Sequence, residues 1–387
     1  MPTYRAGIVG LTGIAAGRGA DPPDPVLGAT HGGSHAAAYA QIPSTTVVGA
    51  CDLVPALTEQ FVQNWGSAWP EVKTYTDYRQ MLAEQRLDLL SVVTSDHRHA
   101  QIVVDAAEAG VKGIYCEKPI ATTLADADRM IAACRANGVV MSIDHTRRWR
   151  PLWHQVRALL RSGELGQLRR IVATLAGPRA MLFRNGTHLL DMVGFFAEST
   201  PAWAIAELDD EHHAYGPAYA GDGGRDPASD PGGSAYVHFQ NGVRAFVNAS
   251  KSAFAGWEFA LFCERGRVRV DDVSGAAEVW QPGTQEVGGR RPVRWLLPEA
   301  NTTIGSLRAG LEEIIRHVEA RQRGTEPPAP LVSPPEAGRQ VLEILLGILQ
   351  SSHAGSAKVT FPVTDAKDLT PGPFPRREGD RLANSDG

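Results

Sequence analysis

The sequence predicts an α/β protein in which a doubly wound parallel sheet is followed by an α+β domain with an open, largely antiparallel sheet. Two observations support this prediction. Short apolar runs alternate with helical patterns over residues 1–145, and strand-like segments then follow one another across tight turns in residues 146–362. Alternating strands and helices are typical of a parallel sheet, whereas successive hairpins are typical of an antiparallel one.

Five apolar runs supply the predicted strands of the first domain. Runs of this length suit strands that are buried on both faces of a parallel sheet. The helical patterns between them begin at potential N-cap residues such as Ser34 and Thr123, and end at glycines such as Gly110 and Gly138. The runs are Ala6–Leu11, Val47–Asp52, Asp88–Thr94, Gly113–Cys116 and Val139–Asp144.

The second domain is predicted to contain three helices and a series of strands. An amphipathic helix is predicted at Pro151–Ser162, and two late helices at Ile304–Arg323 and Pro335–Ser351. Hairpin turns are predicted at Gln240–Gly242 and Glu264–Gly266, where a glycine helps the chain to reverse. The predicted strands are Arg170–Leu175, Ala235–Phe239, Val243–Ala249, Trp257–Cys263 and Arg267–Asp271.

The composition excludes several classes of protein. Apolar residues make up 43% of the chain, which excludes wholesale disorder, and the net charge of -5 favours neither nucleic acid nor an acidic membrane as a partner. No stretch approaches the ~18 consecutive apolar residues of a membrane span, and the N-terminus lacks a signal-peptide pattern. No two of the four cysteines form a CxxC pair, so we expect reduced thiols and a cytoplasmic protein. Residues 363–387 are rich in Pro, Gly and charge, and we expect a disordered tail.

A glycine-containing turn follows the first predicted strand. Gly10, Thr12 and Gly13 lie where a dinucleotide fold needs a tight turn and a close approach of backbone N–H groups to pyrophosphate. The pattern departs from G-x-G-x-x-G/A because Thr12 replaces the second glycine, so it alone fits either a structural turn or a cofactor loop. The Gly/Pro-rich stretch Gly17–Gly33 is predicted to be an insertion that lengthens the loop before the first helix.

The second predicted strand ends at Asp52. A carboxylate at this position can accept hydrogen bonds from the adenosine ribose hydroxyls, and it repels a 2′-phosphate. No Arg or Lys follows immediately, so the sequence favours NAD over NADP. The alternative is a solvated aspartate at the end of a strand.

The segment Tyr115–Pro119 (YCEKP) is the most specific signal in the sequence. It places Lys118 at the carboxyl end of a parallel strand, the edge at which ligands bind in such sheets. Glu117 can hold the Lys118 ammonium or tune its pKa, and a lysine with a lowered pKa can exchange a hydroxyl proton. Thr94 and His99 follow the preceding strand and are expected at the same edge.

These segments, in this order, resemble the glucose–fructose oxidoreductase / inositol dehydrogenase (Gfo/Idh/MocA) family. The resemblance implies an NAD(P)-binding Rossmann domain, a second domain whose open sheet forms homo-oligomer contacts, and reversible oxidation of a hydroxyl on a sugar, cyclitol or related polyol. The segments that carry it are GIVGL, AAAYAQIP, VVGACD, HRHAQIVVDAAEAG, CEKPIA, RRWRPLWHQVRALLRSGELGQLRRI and NGTHLLDMVGFF.

The resemblance also implies roles for individual residues. Lys118 matches the lysine that contacts substrate and the nicotinamide ribose, and His188 matches a histidine that transfers a proton or orients substrate. Asp191, three residues further along one helix face, matches a substrate-binding aspartate. The residues expected to bind the cofactor are Gly10, Thr12, Gly13, Asp52, Thr94, His99, Glu117 and Lys118.

The chain departs from the family pattern at Arg184. Many catalytic relatives have an aspartate there, four residues before the histidine, so the proton relay through His188 loses a carboxylate. Arg184 brings a permanent positive charge that suits a carboxylate- or phosphate-bearing substrate, although a surface arginine is an equal alternative. Asn185 and Arg148 are further candidates for substrate binding.

The sequence therefore favours an NAD-dependent oxidoreductase that transfers a hydride between nicotinamide and a hydroxyl-bearing carbon of a carbohydrate-like substrate. Two alternatives stay open: an NAD-binding sensor without turnover, and an enzyme that uses NAD transiently to cleave a glycoside. His31 and His35 have a spacing that some metal sites use, but Gly32 and Gly33 separate them and no other ligand joins them, so no metal is expected.

Overall fold

A parallel six-stranded sheet forms the first part of the molecule. The computed structural model describes residues 4–17, 33–209, 215–219, 221, 227–272, 274–283, 292–297 and 305–365. The strands are β1 (Tyr4–Val9), β2 (Thr45–Cys51), β3 (Lys73–Tyr75), β4 (Leu89–Val92), β5 (Gly113–Cys116) and β6 (Val140–Ile143). They lie in the order β3-β2-β1-β4-β5-β6, which is the doubly wound arrangement. The predicted parallel sheet is confirmed, and it gains the short strand β3, which the apolar pattern missed because two of its three residues are exposed.

Five helices connect these strands. The predicted caps of two of them are present: the Ser34 side chain accepts a hydrogen bond from Ala37 N–H, and the Thr123 side chain accepts one from Asp126 N–H. The helices are α1 (His35–Ala40), α2 (Pro55–Trp65), α3 (Tyr78–Gln85), α4 (His99–Glu108) and α5 (Leu124–Ala136).

The helix after β1 is built from two separate pieces of the chain. Residues 12–17 form a first turn, in which Gly17 N–H donates to the Gly13 carbonyl at 2.8 Å. The His35 N–H then donates to the Ile14 carbonyl, and the Ala36 N–H donates to the Ala15 carbonyl, both at 2.9 Å. These are the hydrogen bonds that the next turn of a single continuous helix would form. The stretch 17–33 was predicted to lengthen the loop before the helix. The structure has a hydrogen-bonded turn before this stretch and α1 after it, in register with each other, and residues 18–32 lie outside the described residues.

A mixed nine-stranded sheet forms the second part of the molecule. Its order is β14-β13-β12-β11-β7-β10-β9-β8-β15, and every neighbouring pair is antiparallel except β7 and β10. The predicted, largely antiparallel sheet is therefore confirmed. The strands are β7 (Leu168–Ala176), β8 (Pro201–Leu208), β9 (Gly233–Phe239), β10 (Arg244–Ser250), β11 (Gly256–Cys263), β12 (Arg267–Asp271), β13 (Ala276–Pro282), β14 (Pro292–Leu296) and β15 (Val359–Thr360).

Four α-helices follow β6 in the described part of the chain, and one of them, α8, packs on the first sheet and not on the second. They are α6 (Pro151–Arg161), α7 (Gly186–Ala197), α8 (Ser306–Gln322) and α9 (Pro335–His353). Helix α8 packs on the first sheet, where Gly113 of β5 leaves room for it: a Cβ at this glycine would lie 2.6 Å from Ile314. The expected boundary at residue 145 therefore does not separate two packing units, because a later helix completes the core of the first sheet.

The chain returns to the first part of the molecule after β15. The Asp365 carboxylate accepts hydrogen bonds from Leu124 N–H (2.8 Å) and Ala125 N–H (3.0 Å) at the start of α5, and Val363 is buried. The tail expected from residue 363 thus begins with ordered residues, and residues 366–387 lie outside the described part of the chain. Within the described residues, no helix has the length and apolar character needed to cross a membrane.

Candidate active site

The candidate site lies where the carboxyl ends of β4, β5 and β6 meet the start of α7. One of the contacts that join the two parts of the molecule here is a hydrogen bond from the Lys118 ammonium to the Arg184 carbonyl, 2.8 Å long. Lys118 follows β5 and precedes a cis peptide bond to Pro119. The two segments that the sequence singled out, Tyr115–Pro119 and the segment that leads to His188, therefore meet.

Lys118 is nearly enclosed, with 8% of its surface exposed. Burial lowers the pKa of the Lys118 ammonium, the Glu117 carboxylate opposes this effect, and the positive charge of Arg184 adds to it. A lysine with a lowered pKa releases its proton more readily than a surface lysine does, so it can exchange a proton with a substrate.

Glu117 belongs to a buried cluster with Asp144 and His35. The His35 Nε2 lies 3.5 Å from a Glu117 oxygen and 3.8 Å from an Asp144 oxygen. Burial and the Glu117 charge raise the pKa of Asp144 well above its usual range. Burial alone would raise the pKa of Glu117, but hydrogen bonding by His35 and the Lys118 charge bring it below its usual range. One proton is therefore retained by the pair, on Asp144, while Glu117 carries the negative charge.

The same cluster brings three atoms of the metal-ligating type within 4.8 Å of one another. Hydrogen bonds already hold two of the three side chains, since His35 Nδ1 lies 3.0 Å from the Ser91 hydroxyl and the Tyr115 hydroxyl donates to Asp144 at 2.6 Å. We assign the cluster to proton retention and to the support of Lys118. Glu117 also accepts a hydrogen bond from the backbone N–H of Lys118 at 3.2 Å, and its expected role in cofactor binding stays a prediction.

His188 lies in the first turn of α7 and faces a positively charged environment. Its Nδ1 is buried, with no hydrogen-bond partner in the described part of the chain. Burial lowers the pKa of His188 well below its usual value, and the charges of Lys118, Arg147, His145 and Arg184 lower it further. The imidazole is therefore neutral near pH 7 and able to accept a proton.

Asp191 and Arg148 bind each other, which corrects the prediction that both bind substrate. The Arg148 Nε lies 2.9 Å from each Asp191 oxygen, and its Nη1 donates to the Val332 carbonyl at 2.8 Å. Asp191 is fully buried and also lies 3.4 Å from the Nδ1 of His145. The charged atoms of the pair are therefore engaged within the protein, beside His145.

His99 contacts backbone carbonyls of the protein through both ring nitrogens, and its role in cofactor binding stays a prediction. The residue is fully buried at the start of α4. Its Nδ1 lies 3.0 Å from the Pro119 carbonyl, and its Nε2 lies 3.1 Å from the Thr94 carbonyl. The ring therefore ties the loop after β4 to the loop after β5, with both nitrogens occupied.

The loop before α7 presents Arg184 at the site. The Asp230 carboxylate accepts hydrogen bonds from Phe183 N–H at 3.0 Å and from Arg184 N–H at 2.8 Å. The Arg184 side chain is half-buried, and no carboxylate among the described residues forms an ion pair with it. Asn185 donates one amide N–H to the Arg179 carbonyl, so its amide oxygen and its second N–H are left for the predicted contact with substrate.

The predicted cofactor turn is well formed at the end of β1. Gly10 has a φ of +86°, and a Cβ there would lie 2.4 Å from the Val93 carbonyl oxygen, so only glycine fits this approach. The Asp52 carboxylate accepts hydrogen bonds from Leu11 N–H (2.9 Å) and Val54 N–H (3.0 Å), which fixes it beside the turn.

Two further predicted cofactor residues lie at the same edge. Gly13 is exposed, and a Cβ there would meet nothing within 4 Å, so the backbone can be approached closely. Thr94 begins the loop that packs against Gly10. The turn, the open approach and the fixed carboxylate fit a dinucleotide.

Sequence reasoning missed several residues of the site. Asp144 and His145 follow β6 directly, and the rule that drew attention to Lys118 at the end of β5 would have found them. Burial lowers the pKa of His145 to about 4, and its Nε2 lies 3.2 Å from the Thr187 hydroxyl. Trp257 carried no sequence signal for function, yet its ring lies 6.4 Å from that of His188.

Two family models match the chain. The model described as "Oxidoreductase family, NAD-binding Rossmann fold" matches residues 26–145, and the "GFO/IDH/MocA C-terminal domain" matches residues 153–269. The first covers most of the parallel sheet with its helices, and the second includes α7 and the strands of the mixed sheet as far as β12.

Two curated relatives resemble part of the chain. D-apiose dehydrogenase of Paraburkholderia graminis is 35% identical over 133 residues, which is 34% of each protein. Inositol 2-dehydrogenase of Salmonella typhimurium is 33% identical over 122 residues, or 31% of this chain and 35% of the relative. The matched region thus spans about a third of the length of these relatives.

Solved structures share the fold over most of the chain. UDP-N-acetylglucosamine 3-dehydrogenase from Acidithiobacillus ferrooxidans matches with a TM-score of 0.68 at 20% identity, over 92% of this chain and 99% of that chain. The aldose-aldose oxidoreductase from Caulobacter crescentus matches with a TM-score of 0.68 at 18% identity and the same coverage. Because the family models match segments in both sheets and together cover more than half of the sequence, the chain belongs to the Gfo/Idh/MocA family of oxidoreductases.

Proposed function

We propose that the protein is an NAD-dependent dehydrogenase or reductase that acts on a hydroxyl-bearing carbon of a sugar, cyclitol or related polyol. The observation that carries the proposal is the convergence of Lys118 and His188 through the hydrogen bond from the lysine to the Arg184 carbonyl. The names of the sugar and polyol dehydrogenases that resemble this chain support the same substrate class.

The residues at the end of β1 and β2 would hold the cofactor. Gly10 and Gly13 would admit the pyrophosphate, and Asp52 would accept hydrogen bonds from the ribose hydroxyls, which favours NAD over NADP. Thr12 would lie with these glycines at the pyrophosphate, and Thr94 and Lys118 would contact the nicotinamide half. When bound, the nicotinamide supplies the acceptor or donor of the hydride.

The chain's own residues handle the oxygen and its proton. His188 is neutral near pH 7 and accepts the hydroxyl proton as the carbon–hydrogen bond breaks and the carbonyl forms. The Lys118 ammonium donates a hydrogen bond to the same oxygen and stabilises the negative charge that develops on it. In the reverse direction His188 returns the proton.

Turnover of NAD(H) with a panel of sugars, cyclitols and sugar acids, followed at the absorbance band of reduced nicotinamide, tests the proposal. We expect Lys118→Ala to lower kcat by about a hundredfold or more, because a positioned acid–base or charge-stabilising group contributes roughly that factor. Lys112→Ala is the matched control, since Lys112 forms a surface ion pair with Asp88. Normal turnover by the Lys118 variant would contradict the assigned role.

Two outcomes of the same assay would favour the alternative functions. Calorimetric binding of NAD with no spectral change for any substrate would indicate a sensor, which the threonine at position 12 and the arginine at position 184 favour. Product formation without net NADH would indicate transient redox chemistry in glycoside cleavage. Parallel assays with NADP test the cofactor preference.

A further inference from the structure

We infer that the substrate is a sugar or polyol acid whose carboxylate is bound by the Arg184 guanidinium, beside the hydroxyl that reacts at Lys118 and His188. The inference rests on the proposed function and adds the chemical class of its substrate. It depends on which of the charged side chains around His188 have a partner within the described residues.

The other positive charges described at the site are engaged: the Lys118 ammonium donates to the Arg184 carbonyl at 2.8 Å, and two arginines have carboxylate partners. Glu117 lies next to Lys118 and raises the pKa of its ammonium. The Asp272 carboxylate binds Arg147 at 2.7 Å, and the Asp191 carboxylate binds Arg148 at 2.9 Å.

Arg184 is the exception to this balance. Its positive charge acts on the site, because it lowers the pKa of both Lys118 and His188. In the part of the chain that the structure describes, no acidic group lies within the 4.0 Å of an ion pair with its guanidinium. A half-buried cation without a partner costs free energy, which an anionic ligand recovers.

The two acidic groups in this region are held by other partners. The Asp96 carboxyl is buried, bonds the Tyr219 hydroxyl, and has a pKa raised by burial. The Asp230 carboxylate accepts two backbone N–H groups of the Arg184 loop. Neither therefore neutralises the guanidinium.

The count of charges favours a carboxylate over a phosphate. One unpartnered guanidinium offers one positive charge and a planar pair of donors, which matches the single charge and planar oxygens of a carboxylate. A phosphomonoester carries nearly two negative charges near pH 7 and would need a second unpartnered cation.

The experiment compares matched neutral and acidic substrates with the full-length protein and its cofactor. The pairs are glucose with glucuronate and galactose with galacturonate, together with gluconate, myo-inositol and glucose 6-phosphate. We expect kcat/KM to be at least tenfold higher for the acids than for their neutral partners. Arg184→Met should raise the KM for the acids about tenfold or more relative to their neutral partners, while any effect that its charge has on Lys118 and His188 changes both members of a pair alike.

Two further variants make the comparison specific. Arg184→Lys keeps the charge but loses the planar donor pair, so it should restore part of the affinity for acids. Arg179→Met removes an exposed arginine from the same loop and should leave the preference unchanged. Thermal melting shows whether each variant is folded.

The outcomes separate this inference from the proposed function. Equal or better turnover of the neutral sugars, or a preference for the phosphate, overturns the inference and leaves the proposed function intact. If no substrate is turned over, binding of glucuronate to the protein with NADH is measured by calorimetry. Binding that Arg184→Met abolishes would then support the inference and contradict the proposed function, whereas absence of binding would overturn both.

Discussion

At the scale of single residues, the protonation of one buried carboxyl pair controls the candidate catalytic lysine. Glu117 carries the negative charge of the pair and Asp144 retains the proton, so Lys118 has an anion as its immediate neighbour. The pair is enclosed by His35 on α1 and Tyr115 on β5, with Arg184 and Asp96 facing Lys118 from the other side. The two carboxyls therefore have unequal effects on Lys118.

Replacement of each carboxyl by its amide tests this inequality. Glu117→Gln removes the charge that keeps the Lys118 pKa up, so we expect the limb of the kcat/KM pH profile that reports Lys118 to move to lower pH by about one unit or more. Asp144→Asn mimics the protonated acid and should leave that limb in place. Equal shifts in the two variants would contradict the assignment of the proton to Asp144.

At the same scale, the sequence identified some residues of the site but not the contacts that others make. Lys118 and His188 were found because each lies in a recognisable segment, and they do meet. Asp191 was expected to share a cleft with His188, but α7 turns it towards Arg148 and His145. A helix spacing of three fixes a common face, but only the neighbouring elements decide what that face contacts.

At the scale of elements, the helix after β1 tolerates an interruption because hydrogen bonds bridge it. His35 N–H bonds to the Ile14 carbonyl as though only the first turn preceded it. The cofactor turn at Gly10–Gly13 therefore lies entirely before residues 18–32. Because the helix continues across the interruption, His35 also reaches the buried cluster that contains Glu117.

A deletion in register with the helix tests this continuity. Removing residues 18–34 joins Gly17 to His35 and should leave a folded protein that still binds NAD, as thermal melting and calorimetry would show. Removing residues 17–34 is the matched control: one residue more rotates α1 by about 100° and should displace His35 from Glu117, with a clear loss of stability. Unfolding of the in-register variant would contradict the bridged helix.

At the scale of the whole molecule, one face of the mixed sheet carries a row of apolar side chains across four strands. Ile205, Tyr236, Phe246 and Val172 lie directly opposite one another across four adjacent strands. Ile205 is 37% exposed and Phe246 40% exposed, although both are large apolar side chains. A contiguous row of this kind is typical of a protein interface.

We expect this row to form the contact between copies of the chain, as the family resemblance implies. Phe246→Glu combined with Ile205→Glu should place charges in the interface and shift the protein to a smaller species, measured by light scattering after size-exclusion chromatography. Phe254→Glu is the control, because Phe254 is 97% exposed in the loop before β11 and lies outside the row. A wild-type monomer would contradict this prediction.

The sequence by itself determined five of the six strands of the parallel sheet, the central strands β7 and β9 to β12 of the mixed sheet, the glycine turn and the lysine at the end of β5. These features depend on local patterns: apolar runs that must be buried, a turn that only glycine can make at Gly10, and motifs that keep their order along the chain. The fold class could be predicted from them because each pattern is complete within a few residues.

Only the tertiary structure decided which polar groups are engaged and which are available. Arg148 with Asp191, His99 with the Pro119 carbonyl, and helix α8 with the first sheet are contacts between segments far apart in the sequence. A buried polar group must find a partner, but the choice among partners depends on the elements that surround it. The same packing leaves the Arg184 guanidinium without a carboxylate partner among the described residues.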